Sequence, residues 1–282
     1  MIERNKFGLN RIICPTLDIK DFFQLANDLG LGYVELRNDL PANANKIIDN
    51  YSTQEIRHLS RRYNIQICSI DAIQQFNYLE EIDRVREELK NLLILAQEIN
   101  CQVLIMCPFN KADVSQMPRS REVYYKKTVL ILKELLPLFQ QNGLMGYIEP
   151  LGFATSSLAS IILAMKAIKE TGYEGYKIVY DTFHHFLGPD DLNSLSKEYD
   201  IKCTGLIHVS AVTAELSPEQ YRDEHRNMDF KRDKLKNKEQ IDFFVQRGYD
   251  GIISFEPFAE EVQKLEVKEL RELINQTIEY LS

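Results

Sequence analysis

Met145-Gly146-Tyr147-Ile148-Glu149-Pro150 is a short, mostly apolar run that ends on a carboxylate and is closed by proline. Three later runs repeat the pattern: Lys177-Ile178-Val179-Tyr180-Asp181, Gly205-Leu206-Ile207-His208, and Gly251-Ile252-Ile253-Ser254-Phe255-Glu256-Pro257. Runs of four to eight apolar residues rich in Ile and Val are what strands buried on both faces look like, and both-face burial is the mark of a parallel sheet. Upstream, Leu9 to Cys14, Tyr33 to Leu36, Ile65 to Ile70 and Val103 to Cys107 read the same way.

Amphipathic helices are predicted between the strands. Ile19-Phe22-Phe23-Leu25-Ala26-Leu29 repeats at three and four and stops at Gly30 or Gly32. Val85-Leu89-Leu92-Leu93-Ala96-Ile99, Val129-Leu132-Leu135-Leu136-Phe139 and Leu158-Ile161-Ile162-Met165-Ile168 carry the same spacing. So does the C-terminal stretch Leu265 to Leu281, and a shorter helix is expected around Ile241-Phe243-Phe244-Val245. Eight strand–helix units in 282 residues predict an α/β fold, a (β/α)8 TIM barrel occupying 1–282 as a single domain. The competitor, an open doubly wound sheet, usually shows a glycine-rich turn after its first strand. Cys14-Pro15-Thr16-Leu17 stands there instead, and with no GxGxxG or GxxxxGK[ST] anywhere no nucleotide cofactor is expected.

The composition narrows the function classes. A formal charge of −8 disfavours a nucleic-acid surface. The longest apolar runs fall far short of the roughly 18–20 residues of a membrane span, and the N-terminus lacks a secretory profile. The five cysteines are odd in number and free of CxxC spacing, which predicts buried thiols and the reducing cytoplasm.

In a barrel, all strand ends converge on one catalytic face. Glu149, Asp181, His208 and Glu256 end strands five to eight, so they become neighbours. Three carboxylates and an imidazole suit one divalent metal ion (Mn²⁺, Zn²⁺, Co²⁺ or Mg²⁺), and the absence of cysteine argues against a purely structural zinc. Singly, each residue has a duller reading: a core histidine, a helix cap, a surface pair. Four coincident positions outweigh it. His184 lies three residues past Asp181 and is expected to point into the cavity; its neighbour His185 could cap a helix or face solvent. Glu35 and Asp71, near the ends of strands two and three, are expected to bind substrate hydroxyls, to cap a helix or to pair with Arg37.

Tyr147-Ile148-Glu149-Pro150, Val179-Tyr180-Asp181-Thr182-Phe183-His184, Leu206-Ile207-His208-Val209 and Ser254-Phe255-Glu256-Pro257 resemble the motifs of the xylose isomerase-like TIM barrels. The likeness spans nearly the whole chain and is closest to the inosose (2-keto-myo-inositol) isomerase subgroup, through Tyr33-Val34-Glu35-Leu36-Arg37, Ser69-Ile70-Asp71-Ala72 and Asp223-Glu224-His225-Arg226. The resemblance implies metal ligation by Glu149, Asp181, His208 and Glu256, with substrate contacts from His184 and Arg226. It also implies acid–base catalysis by Glu149 and Glu256 on a small-molecule keto-sugar or cyclic polyol, through a cis-enediolate. Isomerase or epimerase chemistry on carbohydrates, as in inositol catabolism, follows from the likeness. Ser210-Ala211-Val212-Thr213, Met228-Asp229-Phe230 and Thr155 depart from the family pattern where relatives carry an acid, a Pro-Gly and a further glutamate. These departures bear on the choice of substrate. A 3-dehydroshikimate dehydratase-like lyase would use the same ligands but expel water. An endonuclease IV-like nuclease needs several more histidine and acidic ligands than remain. Self-association into a homo-oligomer is compatible with this reading.

Overall fold

The computed structural model describes residues 2–111 and 121–282. Eight parallel strands close on themselves in chain order: β1 Phe7–Asn10, β2 Tyr33–Arg37, β3 Gln66–Ile73, β4 Val103–Met106, β5 Met145–Ile148, β6 Tyr176–Asp181, β7 Thr204–Val209 and β8 Ile252–Phe255. Closure is direct, since β1 pairs with β2 through Leu9 and Val34 and with β8 through Leu9 and Phe255. The helices outside are α1 Ile19–Asp28, α2 Thr53–Tyr63, α3 Ile82–Ile99, α4 Arg121–Asn142, α5 Ile161–Lys169, α6 Thr182–Leu187, α7 Leu192–Glu198, α8 Asn237–Val245, α9 Glu260–Gln263 and α10 Val267–Leu281. None of the described helices is long and apolar enough to cross a membrane.

Local chemistry sets the helix ends. Asp18 caps α1 at Lys20 N, and Ser52 with Glu55 forms a capping box on α2. α2 and α3 stop at Asn64 and Asn100, which adopt the left-handed conformation that asparagine tolerates. The apolar stripe of α3 (Val85, Leu89, Leu92, Leu93, Ala96, Ile99) is buried against the outside of the barrel, as its spacing predicts.

β1 departs from expectation. It spans Phe7–Asn10 rather than Leu9 to Cys14, because Arg11–Ile13 forms a 3-10 turn. The Asn10 side chain accepts from Ile12 N at 3.1 Å, and this local bond overrides the strand propensity of the two isoleucines.

The site is built by the two-residue period of a strand. Ile178, Tyr180, Ile207 and Val209 face the helices, whereas Val179 and Leu206 pack inside the barrel with Ala72, Ile105 and Cys107. Asp181 and His208 stand two residues beyond those inward positions, paired with each other in the register. The same alternation turns Asn10, Arg37, Cys107, Glu149 and Glu256 inward, and Asp71 joins them beside the inward Ala72. The top layer of the barrel is therefore polar on seven strands, with the Cys107 thiol completing it on β4.

Candidate metal centre and its surroundings

Glu149, Asp181, His208 and Glu256 each offer one ligand atom, all within 4.8 Å of one another and all buried. Ligand atoms at about 2.0–2.2 Å from one ion lie at most about 4.4 Å apart, so a contraction of a few tenths of an ångström closes the group on a single centre. Backbone pairing fixes two of the four just past their strands: Glu149 N donates to Met106 O at 3.1 Å and Glu256 N to Val209 O at 2.9 Å. Asp181 does two things at once. Its Oδ1 caps α6 by accepting from Phe183 N at 2.7 Å and His184 N at 2.9 Å, which aims Oδ2 at the cluster.

His208 is oriented from behind. Its Nε2 lies 3.1 Å from both oxygens of Glu35, and its Nδ1 lies 3.1 Å from Glu149 Oε1 and 3.2 Å from Glu256 Oε2. A proton held on Nε2 by Glu35 leaves the Nδ1 lone pair facing the carboxylates, the carboxylate–histidine arrangement that tunes metal sites. Burial works to raise the Glu35 carboxyl, but the charge and hydrogen bond of His208 and the bond from Ser69 hold it below its usual range. Burial opposes a charge on His208 too; Glu256, Glu35 and Glu149 nevertheless hold its pKa well above the ordinary value. A metal ion at this place competes with that proton for Nδ1.

The chemistry of the donor set fits a divalent cation. Five buried carboxylates (Glu35, Asp71, Glu149, Asp181, Glu256) meet the two buried guanidiniums of Arg37 and Arg226 and one imidazole. Negative charge is in excess even with the imidazole protonated. The Asp71 carboxyl registers the excess. Burial, together with Glu256 and Glu149, pushes it well above its usual range against the pull of Arg37. Glu256 goes the other way, because His208, Arg226 and Arg37 outweigh its burial and hold it well below.

Not every expected substrate group reaches the cavity. A cavity of about 240 Å³ opens above the cluster, lined among others by Arg37, Asp71, Cys107, His184, Arg226 and Phe258. His184 and Arg226 therefore line this cavity. Glu35, expected to bind a hydroxyl, lies one layer lower: β2 continues to Arg37, and Glu35 is fully buried between His208 and Ser69 Oγ, 2.6 Å away. Asp71 pairs with Arg37 Nη1 at 2.5 Å. His185 points away from the cavity, with Nδ1 2.9 Å from Gln240 Oε1.

The pairing of Asp71 with Arg37 is expected from the sequence; the role of Asn10 and the reach of Arg37 to Glu256 are not. Arg37 Nη1 donates to Asp71 and to Glu256 Oε1 at 2.7 Å, while Asn10 Nδ2 donates to both acids at 3.1 and 3.3 Å. Counting inward positions two residues apart along β1 and β2 is the signal that finds them.

His184 sits edge-on to Phe153, with ring centroids 5.1 Å apart, on an α6 held tightly by the preceding loop. A Cβ at Gly152 would lie 2.0 Å from His184 O, so only glycine allows that approach. Burial, with the Arg226 charge behind it, pushes the His184 imidazole down to about 4. The folded protein thus keeps it neutral where the unfolded chain, titrating near 6.5, takes up a proton. Stability is full above about pH 6.5 and falls as the pH drops toward 4, by on the order of 3 kcal/mol from this residue. Urea midpoints measured from pH 7.5 to 5 should show the decline, and His184→Asn should flatten it. An unchanged slope in that variant would refute the assignment.

A family profile described as xylose isomerase-like TIM barrel matches residues 23–281. The chain belongs to that family. Among solved structures, a xylose isomerase domain-containing protein from Salmonella typhimurium LT2 is 34% identical, with a TM-score of 0.91 over 100% of this chain and 98% of that one. The inosose isomerase of Halalkalibacterium halodurans is 20% identical over 258 residues, 90% of this chain and 88% of its own length. The IOLI protein, solved with a bound zinc atom, is 18% identical with a TM-score of 0.86 over 98% and 97% of the two chains, a likeness of fold.

Proposed function

We propose that this protein is a divalent-metal-dependent isomerase of a small keto-polyol of the inosose type. The observation that carries the reading is the convergence of Glu149, Asp181, His208 and Glu256 on one buried point at the floor of a polar cavity. The likeness to an inosose isomerase over 90% of the chain supports the substrate class. The volume does too: about 240 Å³ is below the roughly 300–1,000 Å³ usual for drug-sized ligands and suits a single small polyol.

A bound divalent ion would supply Lewis-acid polarisation of a substrate carbonyl and stabilise negative charge on its oxygen. Asp181 and His208 would hold that ion, and Glu35, 3.1 Å from Nε2, would keep His208 in the tautomer that can. Glu149 and Glu256 flank the substrate on either side of His208, each also a ligand, where a carboxylate can take a proton from the hydroxyl-bearing carbon. His184 stays neutral and offers an imidazole nitrogen to a substrate oxygen. Phe153 and Phe258 wall the cavity with apolar surface.

The test is metal analysis of the purified protein, followed by proton–deuterium exchange on a panel of inososes and ketoses. One equivalent of divalent metal and metal-dependent exchange next to a carbonyl are expected. A metal-free protein inert to the whole panel would defeat the reading, and a new conjugated absorbance would redirect it to a dehydratase.

A further inference from the structure

Of the two carboxylates that flank the cavity, we infer that Glu149 alone moves the proton, from one face of the substrate, because Arg37 and Arg226 clamp Glu256. The inference rests on the isomerase reading above and decides between isomerisation and epimerisation.

Both acids touch His208 Nδ1, Glu149 at 3.1 Å and Glu256 at 3.2 Å, but their other partners differ. Glu256 Oε1 accepts from Arg37 Nη1 at 2.7 Å and Asn10 Nδ2 at 3.3 Å, and Oε2 accepts from Arg226 Nη2 at 2.7 Å. Both guanidiniums are themselves fixed. They lie over the Phe258 ring, 5.2 and 4.7 Å from its centroid, and are backed by Asp39 at 2.8 Å and Asp223 at 3.3 Å. A proton on either oxygen of Glu256 has to displace a charged donor. Glu149 is differently placed: Oε1 meets His208, and Oε2 receives only the Cys107 thiol at 3.4 Å among the described residues. A thiol is a weak donor and gives way readily.

The chemistry balances with one base. Glu149 Oε2 takes the proton from the hydroxyl-bearing carbon, and the C–H electron pair becomes the C=C bond of the enediolate while the old carbonyl oxygen takes the charge. The hydroxyl proton then passes between the two cis oxygens. The enediolate collapses to the new carbonyl and draws the proton back from Glu149 onto the neighbouring carbon. Nothing is oxidised or reduced outside the substrate. Epimerisation needs a second acid on the opposite face, and Glu256 is the group there. Arg37 is thus a positioning residue that confines the reaction to one face.

The full-length protein, loaded with zinc or manganese, is incubated with 2-keto-myo-inositol in D₂O and followed by proton NMR. Deuterium is expected at the exchanging carbon with retained configuration and in the isomerised product, with no epimer. A deuterated epimer accumulating alongside would overturn the inference and leave the isomerase reading standing. The absence of both exchange and product would instead end that reading, and the inference with it. In Arg37→Met, opposite-face exchange relative to same-face exchange should rise about tenfold or more, because one charged donor to Glu256 is lost. An unchanged ratio in a variant that keeps its metal would overturn the clamp. Should that variant fail to fold, the wild-type labelling pattern decides alone.

Discussion

Glu149→Gln is expected to lose about 10²–10⁴ in kcat, the contribution of a positioned base, while remaining folded. Glutamine matches glutamate in size and can still place an oxygen near His208, but it cannot accept the carbon-bound proton. In the metal-loaded state the variant should melt below wild type, because one charged ligand of the proposed site is gone. The measurement is turnover and deuterium exchange, with metal content determined on the same sample. A variant that binds its metal and turns over within a factor of ten of wild type would remove Glu149 from the role of base.

Removing the metal should act on both function and fold. Prolonged dialysis against a chelator is expected to abolish turnover and exchange. It should also lower Tm, because a ligand bound at about 1,000 times its Kd stabilises by about 4 kcal/mol. For a chain somewhat above the roughly 150–250 residues for which 1 kcal/mol shifts Tm by about 2–4 °C, that is a fall of roughly 10 °C. Re-added Mn²⁺, Zn²⁺ or Co²⁺ should restore both readouts. His208→Ala should stay at the lower Tm whatever is added, since it removes a proposed ligand and strips Glu35 of its imidazole partner, 3.1 Å away. A wild-type protein whose Tm and turnover survive chelation, with no metal left in it, would sink the metal requirement.

The barrel was legible because its signals are local. Helix stripes such as Val85 to Ile99 recur at three and four, and the interior strands are buried on both faces, so each reads as an apolar run closed by a polar residue. Glu149, Asp181, His208 and Glu256 stood out for that reason: each breaks an apolar run at its end. Asn10 did not, because it lies before Ile12-Ile13-Cys14, which looks like a continuing strand; only its own side-chain bond to Ile12 N shows where the strand stops. Glu35 was read as a rim residue because Leu36 looked like the last strand position. β2 carries one more residue, Arg37, and that puts Glu35 a layer down, where it meets His208 and the Ser69 hydroxyl rather than the cavity.

The sequence by itself determined the repeated unit, its number and the kind of residue that ends each strand, since periodicity and chain breaks are encoded within a few residues of one another. It could not say which end residues touch. Arg226 sits 45 residues from Asp181 and 30 from Glu256, yet bonds both at 2.5 and 2.7 Å. Arg37 reaches Glu256 from 219 residues away. Closure of the barrel brings the first and last strands together, and the two-residue alternation then selects which side chains turn inward. The tertiary structure alone decided that Glu256 is held between two guanidiniums and that Glu149 is not, because pairing between charges is set by distance in space and leaves no local trace in the chain.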